Sequence, residues 1–232
     1  MILRLAAAAA VVLASVPAYA HFHLDSPPAD QAQSTRGDPQ KAPPCGESAA
    51  ATDMVTVVKT GSVLPITITE TIPHPGHYRV AIAQTPGQLP AEPDVTPGDM
   101  DCGTVPIDPA PALPVLADGQ LVHTTTLVGP QTFNVQLPPD FRCENCTLQV
   151  IEFMSEHPLN DPGGCFYHHC ARVTISDDAP DAGVAPGGDA GLANHNPTDA
   201  VGGCCATGSS LASNGVAIVI VGLAWLLGRR RR

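Results

Sequence analysis

The sequence predicts an all-β protein: an antiparallel sandwich of short strands with long loops and disulfide staples. Three observations predict it. Seven segments between residues 54 and 176 are rich in Val, Ile and Thr, and several alternate in polarity. Past residue 20 the body of the chain shows no sustained helical period. The connections are rich in Gly and Pro, of which the chain holds 21 and 25.

The predicted strands run in order: MVTVVK (54–59), VLPITITET (63–71), HYRVAIAQ (77–84), LVHTTTLV (121–128), QTFNVQL (131–137), CTLQVIEFM (146–154) and CARVTIS (170–176). In the third, Tyr78, Val80 and Ile82 fall on one face and Arg79, Ala81 and Ala83 on the other, the period of a half-buried strand. Residues 85–120 read as one long irregular excursion. Long loops on a rigid scaffold are where function tends to sit. The strand number and patterning suit an immunoglobulin/fibronectin III-like sandwich.

The two ends read as targeting segments. Arg4, an apolar run from Leu5 to Val16 and the small-x-small triplet Ala18-Tyr19-Ala20 predict a signal peptide over residues 1–20. The folded domain is then expected over 21–176. Residues 177–203 are Asp, Ala, Gly and Pro with almost no large apolar side chain, the composition of a disordered linker. Residues 204–232 begin at the cysteine pair of GGCC (202–205) and continue with a short apolar run and Arg229 to Arg232. This resembles a MYXO-CTERM sorting tail. That resemblance implies processing near Cys204 or Cys205 and anchoring at the cell surface, with membrane contact through the tail alone.

Cys45, Cys102, Cys143, Cys146, Cys165 and Cys170 lie in the domain. In an exported chain an even count reads as disulfides, here with 15 open connectivities. CENC (143–146) has no second pair at zinc spacing, so a disulfide is preferred over metal or redox chemistry. The chain has 22 acidic and 11 basic residues, net −11. Five of the bases are Arg4 and Arg229 to Arg232, so the domain is acidic. That excludes a nucleic-acid partner, which needs a basic footprint.

Cleavage after Ala20 makes His21 the first residue. Its α-amine, with an ordinary pKa of about 7.7–8.0, and its Nδ1 can close a chelate ring. One more imidazole completes a flat set of three nitrogens, which suits copper(II). TIPHPGHYRV (71–80) supplies His74 and His77 in a Pro-rich turn before a strand, and a rigid turn holds a ligand well. His23 is read as pointing away from His21.

HFHLDSPPA at the new N-terminus, HPGHYRVAIA, and CENCTLQVIEFM followed by CFYHHCARVTI resemble the opening, second-histidine and closing-strand segments of lytic polysaccharide monooxygenases. The resemblance implies a copper histidine brace of His21 and His74, with His74 preferred over His77 for its first place in His-x-Gly. It implies Tyr167 as the axial aromatic and Glu152 as the accompanying carboxylate. His77, His168 and His169 stand around that set. It further implies one copper ion, a monomer, an external electron donor, hydrogen peroxide or dioxygen as oxidant, and a polysaccharide substrate: chitin, cellulose or another glucan. The single Trp, Trp225, lies in the tail, so the domain has no tryptophan platform for a crystalline glycan. The alternative is an extracytoplasmic copper carrier, because such carriers also begin with a histidine on an immunoglobulin-like sandwich.

Overall fold

The computed structural model describes residues 20–181. The signal peptide, most of the linker and the tail lie outside the described residues. Eight strands follow in chain order: β1 (His21–Ser26), β2 (Val55–Lys59), β3 (Val63–Ile72), β4 (Gly76–Ala83), β5 (Val115–His123), β6 (Gln131–Gln136), β7 (Cys143–Met154) and β8 (Phe166–Ser176). They form a three-stranded sheet, β1-β3-β6, and a five-stranded sheet, β2-β8-β7-β4-β5. The chain is an all-β sandwich stapled by disulfides.

The alternation read from the sequence decides what faces inward. Leu64, Ile66 and Ile68 of β3, Phe22 and Leu24 of β1, and Phe133 and Val135 of β6 point into one core. They meet Tyr78, Val80 and Ile82 of β4, Leu148 and Val150 of β7, and Tyr167, Ala171, Val173 and Ile175 of β8. Each fully buried large apolar side chain contributes about 1.5–3 kcal/mol. A second cluster, Cys102, Ile151, Phe153, Cys165 and Phe166 with Val95 and Val105, covers the outer face of the five-stranded sheet. The excursion after β4 therefore acts as a lid on β7 and β8. This is why β7 is buried at every position from Cys146 to Met154, polar Thr147, Gln149 and Glu152 included.

Two expectations shift. The strand expected at 121–128 lies at Val115–His123, so the irregular excursion is shorter than 85–120. Pairing of β4 with β5 slips in register three times, and Leu121 takes a positive φ of 51°. A strand broken in this way loses the two-residue period by which it would be recognised. The second shift is one pairing within the sandwich. β2 runs parallel to β8, from Val55↔Arg172 to Lys59↔Ser176, while every other strand pairing is antiparallel. β2 is an edge strand that passes through a tight turn at Gly61 into β3 of the other sheet.

The six domain cysteines pair Cys45–Cys170, Cys102–Cys165 and Cys143–Cys146. CENC closes on itself, as a disulfide rather than a metal site. The first two bridges span 125 and 63 residues. Loops that long remove the most freedom from the unfolded chain, typically about 2–4 kcal/mol each. They tie the 27–51 loop and the 85–114 excursion to β8 and its approach. Among the described residues no helix is long and apolar enough to cross a membrane.

Candidate metal centre

β1 enters the three-stranded sheet at its first residue, with His21 paired to Ile72 at the end of β3. His74 follows two residues later, in the Pro73-His74-Pro75 link to β4. This register brings the residue after the predicted cleavage site to the loop that carries the preferred second histidine. Two glycines allow the close approach of chains here. A Cβ on Gly37 would lie 2.0 Å from the Phe22 carbonyl oxygen, so the 34–40 loop rests directly on β1. A Cβ on Gly76 would lie 1.9 Å from the Phe153 carbonyl oxygen, which is the physical reason for glycine in His-Pro-Gly.

The His21 ring is buried against Tyr167, with centroids 5.1 Å apart. Its Nε2 lies 3.3 Å from Asp38 Oδ1, on the side that a chelate through the amine and Nδ1 leaves outward. Ala20 precedes it in the described chain, so the residue 21 nitrogen is there a peptide nitrogen. The Tyr167 hydroxyl is 3.5 Å from Asn160 Oδ1.

His74 is buried, and its Nε2 has no hydrogen-bond partner. Its loop is fixed on both sides. The Pro75 carbonyl accepts from the Ser155 N–H at 2.9 Å and the Ser155 hydroxyl at 3.1 Å. The His74 carbonyl is 2.7 Å from His123 Nε2. Burial, then the neighbouring His157, lower the His74 pKa below the ordinary histidine value. A neutral imidazole with a buried lone pair fits a nitrogen-seeking ion.

His77 is placed elsewhere. Tyr78 points inward against Phe22, at 5.3 Å between centroids. His77 consequently faces the outer side of the sheet beside Phe153, at 5.4 Å. His168 also faces outward, with Nε2 2.6 Å from Glu92 Oε1 and Nδ1 3.2 Å from the Gln40 carbonyl. His169 faces inward, its ring 4.7 Å from Phe22 and its Nε2 2.9 Å from the Phe22 carbonyl. Burial lowers its pKa to about 4. An unbroken strand would put His21 and His23 on one face, so the expected separation of the two does not follow from alternation. It would need a break, and a register shift does fall between His21 and Phe22.

Glu152 lies between Tyr78 and Tyr167 across β4, β7 and β8. It is fully buried and neither oxygen has a hydrogen-bond partner. Burial, then the charge of Glu70, hold its carboxyl pKa well above the usual carboxylate range. Glu70 projects from β3 into the same space. Its Oε1 accepts from the Tyr78 hydroxyl at 3.1 Å and lies 2.9 Å from His123 Nε2. Burial opposes charge on His123, but the Glu70 hydrogen bond and backbone partners outweigh it and raise the pKa.

Sequence reasoning missed Glu70, His123, His157 and Asn160. Glu70 had a signal, since it continues the inward series Leu64, Ile66, Ile68 with a carboxylate. His157 had a weaker one in its place between the two cysteine-bearing strands. Among the described residues no group of three or more His, Cys, Asp or Glu side chains is gathered to hold an ion.

No family model matches the chain, and no curated protein matches it. Among solved structures it is similar to a lytic polysaccharide monooxygenase AA15 from Thermobia domestica in the Cu(I) state. The two are 14% identical, with a TM-score of 0.47, over 68% of this chain and 100% of that one.

Proposed function

We propose that the chain is exported, cut after Ala20, and binds one copper ion through the His21 amine, the His21 imidazole and His74. In this reading it works as a copper-dependent polysaccharide monooxygenase at the cell surface, held there by the 204–232 tail. The observation that carries the reading is the β1–β3 register. It delivers residue 21 to the His74 loop, where a buried imidazole nitrogen has no other partner.

The bound copper, reduced by an external donor, would supply one-electron oxidation of a glycan C–H by hydrogen peroxide or dioxygen. The protein's own part is to position and to exclude. The Tyr167 ring packs against His21 and keeps water from that side. Asn160 orients its hydroxyl. Ser155 and His123 hold the His74 loop in one conformation. Glu152, a buried carboxyl held toward its neutral form beside Glu70, can donate a hydrogen bond without placing a second charge there. The substrate is a polysaccharide of the chitin, cellulose or glucan class.

One observation favours a second reading, a copper carrier without glycan chemistry. The large apolar side chains exposed among the described residues are Met, Val, Ile and Leu, and none is aromatic, so a stacking platform for sugar rings is lacking. Copper(II) titration of the processed chain with an electron paramagnetic resonance spectrum at one equivalent tests both. A single tight tetragonal nitrogen site, lost in His74→Ala, is expected. Weak or multiple sites would sink both copper readings. Release of oxidised oligosaccharides from chitin or cellulose by the reduced copper protein then separates enzyme from carrier.

A further inference from the structure

His157 lies outside both the sequence reading and the brace, yet it has the features of a ligand. It sits at the turn after β7 with 1% of its surface exposed. Its Nδ1 contacts the Pro158 carbonyl, which makes Nδ1 the protonated nitrogen and leaves the lone pair on Nε2. That Nε2 is buried without a hydrogen-bond partner. A metal-binding histidine normally gives its second N–H to a carbonyl or carboxylate in this way.

The neighbouring ring is His74, whose Nε2 is also buried and unpartnered, while its other nitrogen side is served by the Ser155 backbone. The two centroids are 4.9 Å apart and the planes stand at 82°. Imidazoles bound through Nε2 at about 2.0–2.1 Å from one ion, with their two metal–nitrogen bonds about 90–100° apart, have centroids about 4.5–5 Å apart whatever the angle between the ring planes. The observed pair meets that spacing. Both rings are also clamped. Cys102, bridged to Cys165, donates its N–H to the His157 carbonyl at 3.0 Å, and its carbonyl accepts from Glu156 N–H at 2.7 Å. Ser155 ties the same turn to Pro75 beside His74. A seat held this rigidly needs little rearrangement to take an ion. Two buried, adjacent imidazoles whose Nε2 atoms lack partners are otherwise costly, because each lone pair has lost its water.

We propose that His157 is a metal ligand, forming with His74 a two-imidazole seat for a nitrogen-seeking transition ion such as copper(II) or zinc(II). In its shared use of His74 this rests on the proposed copper site, but the seat itself needs neither His21 nor a free amine. It is therefore present before the signal peptide is cut. In the processed chain His157 adds an imidazole to the copper that His21 and His74 hold.

The test uses the full exported chain in two forms, one beginning at His21 and one beginning at an N-acetylated Ala20, so that no free amine remains; this capped chain is the Ala20 form. Each is titrated with copper(II) and with zinc(II), and pulsed electron paramagnetic resonance counts the bound imidazoles. The Ala20 form is expected to keep a site with two imidazoles, which His157→Gln abolishes. In the His21 form His157→Gln should remove one imidazole and weaken copper by about ten-fold or more. An unchanged imidazole count and affinity in His157→Gln, in both forms, would overturn the proposal. Tight binding confined to the His21 form and unmoved by His157→Gln leaves the brace intact and rejects His157. Equal binding in both forms, lost in His157→Gln, supports His157 and rejects the brace. Should the variant fail to fold, zinc-induced shifts of the histidine ring nitrogens in the wild-type Ala20 form decide instead. Movement of both His74 and His157 Nε2 is the supporting outcome, and movement of neither is the opposing one.

Discussion

The two ends of the same sandwich are built from opposite materials. At the end away from His21 the inward positions are Leu64 and Ile66 of β3, Leu148 of β7, and Val173 and Ile175 of β8, all buried and apolar. Following the same inward faces toward His21, β3 passes from Ile68 to Glu70. β7 passes from Val150 to Glu152, and β8 from Ala171 to His169 and Tyr167. Three strands thus exchange hydrocarbon for titratable groups over one or two inward steps. Burying such groups costs stability wherever partners are missing, and Glu152, His74 and His157 each keep unpartnered buried atoms. The far end stabilises the fold, and the near end is where buried polar groups gather at a cost to it.

The sharpest way to break this contrast is to damage the far end alone. Ile66→Ala should lower stability by about 2–5 kcal/mol, read by denaturant unfolding, with the copper spectrum of the folded fraction unchanged. A changed spectrum would mean the two ends are not separable.

His169 probes the near end. Its folded pKa, about 4, lies below the ordinary 6.5, so the unfolded chain takes up the proton first. The stability it contributes is complete above pH 6.5 and is lost as pH falls toward 4, at about 1.4 kcal/mol per pH unit. Relative to wild type, metal-free His169→Gln should lose less stability between pH 6.5 and 4. An identical acid profile would show that His169 is not buried neutral.

Glu152 has the opposite sign. Its folded pKa is raised, so its contribution is intact below the unfolded carboxyl pKa and fades as pH rises from there toward the folded value. Glu152→Gln, which keeps the shape without the proton to lose, should differ little from wild type in acid. It should gain stability over wild type as pH rises through neutrality. A difference independent of pH would mean that Glu152 is ionised in the fold.

What was legible in the sequence follows the same division. Strands with an unbroken inward series, such as 63–71 and 146–154, were readable because period two survives wherever a sheet packs on a core. β5 was displaced because its ladder slips three times and Leu121 turns against the period. The pairing of six cysteines was not readable, since Cys45–Cys170 and Cys102–Cys165 join segments far apart in sequence. His21 and His74 stood out in the sequence because a predicted cleavage site and a Pro-rich turn mark them, and the fold adds that both are buried. Glu70 carried a signal only as the next inward position after Ile68, and His157 carried less. A buried carboxylate at the end of a strand and a histidine before a proline become informative only once the fold shows what faces them.

The most direct measurement compares copper(II) dissociation constants of the chain beginning at His21 and the chain beginning at an N-acetylated Ala20. The account predicts that the added residue weakens binding by orders of magnitude, because it turns the ligating amine into an amide that must lose a proton to bind. Equal affinity in the two chains would contradict the claim that processing at Ala20 creates the metal site.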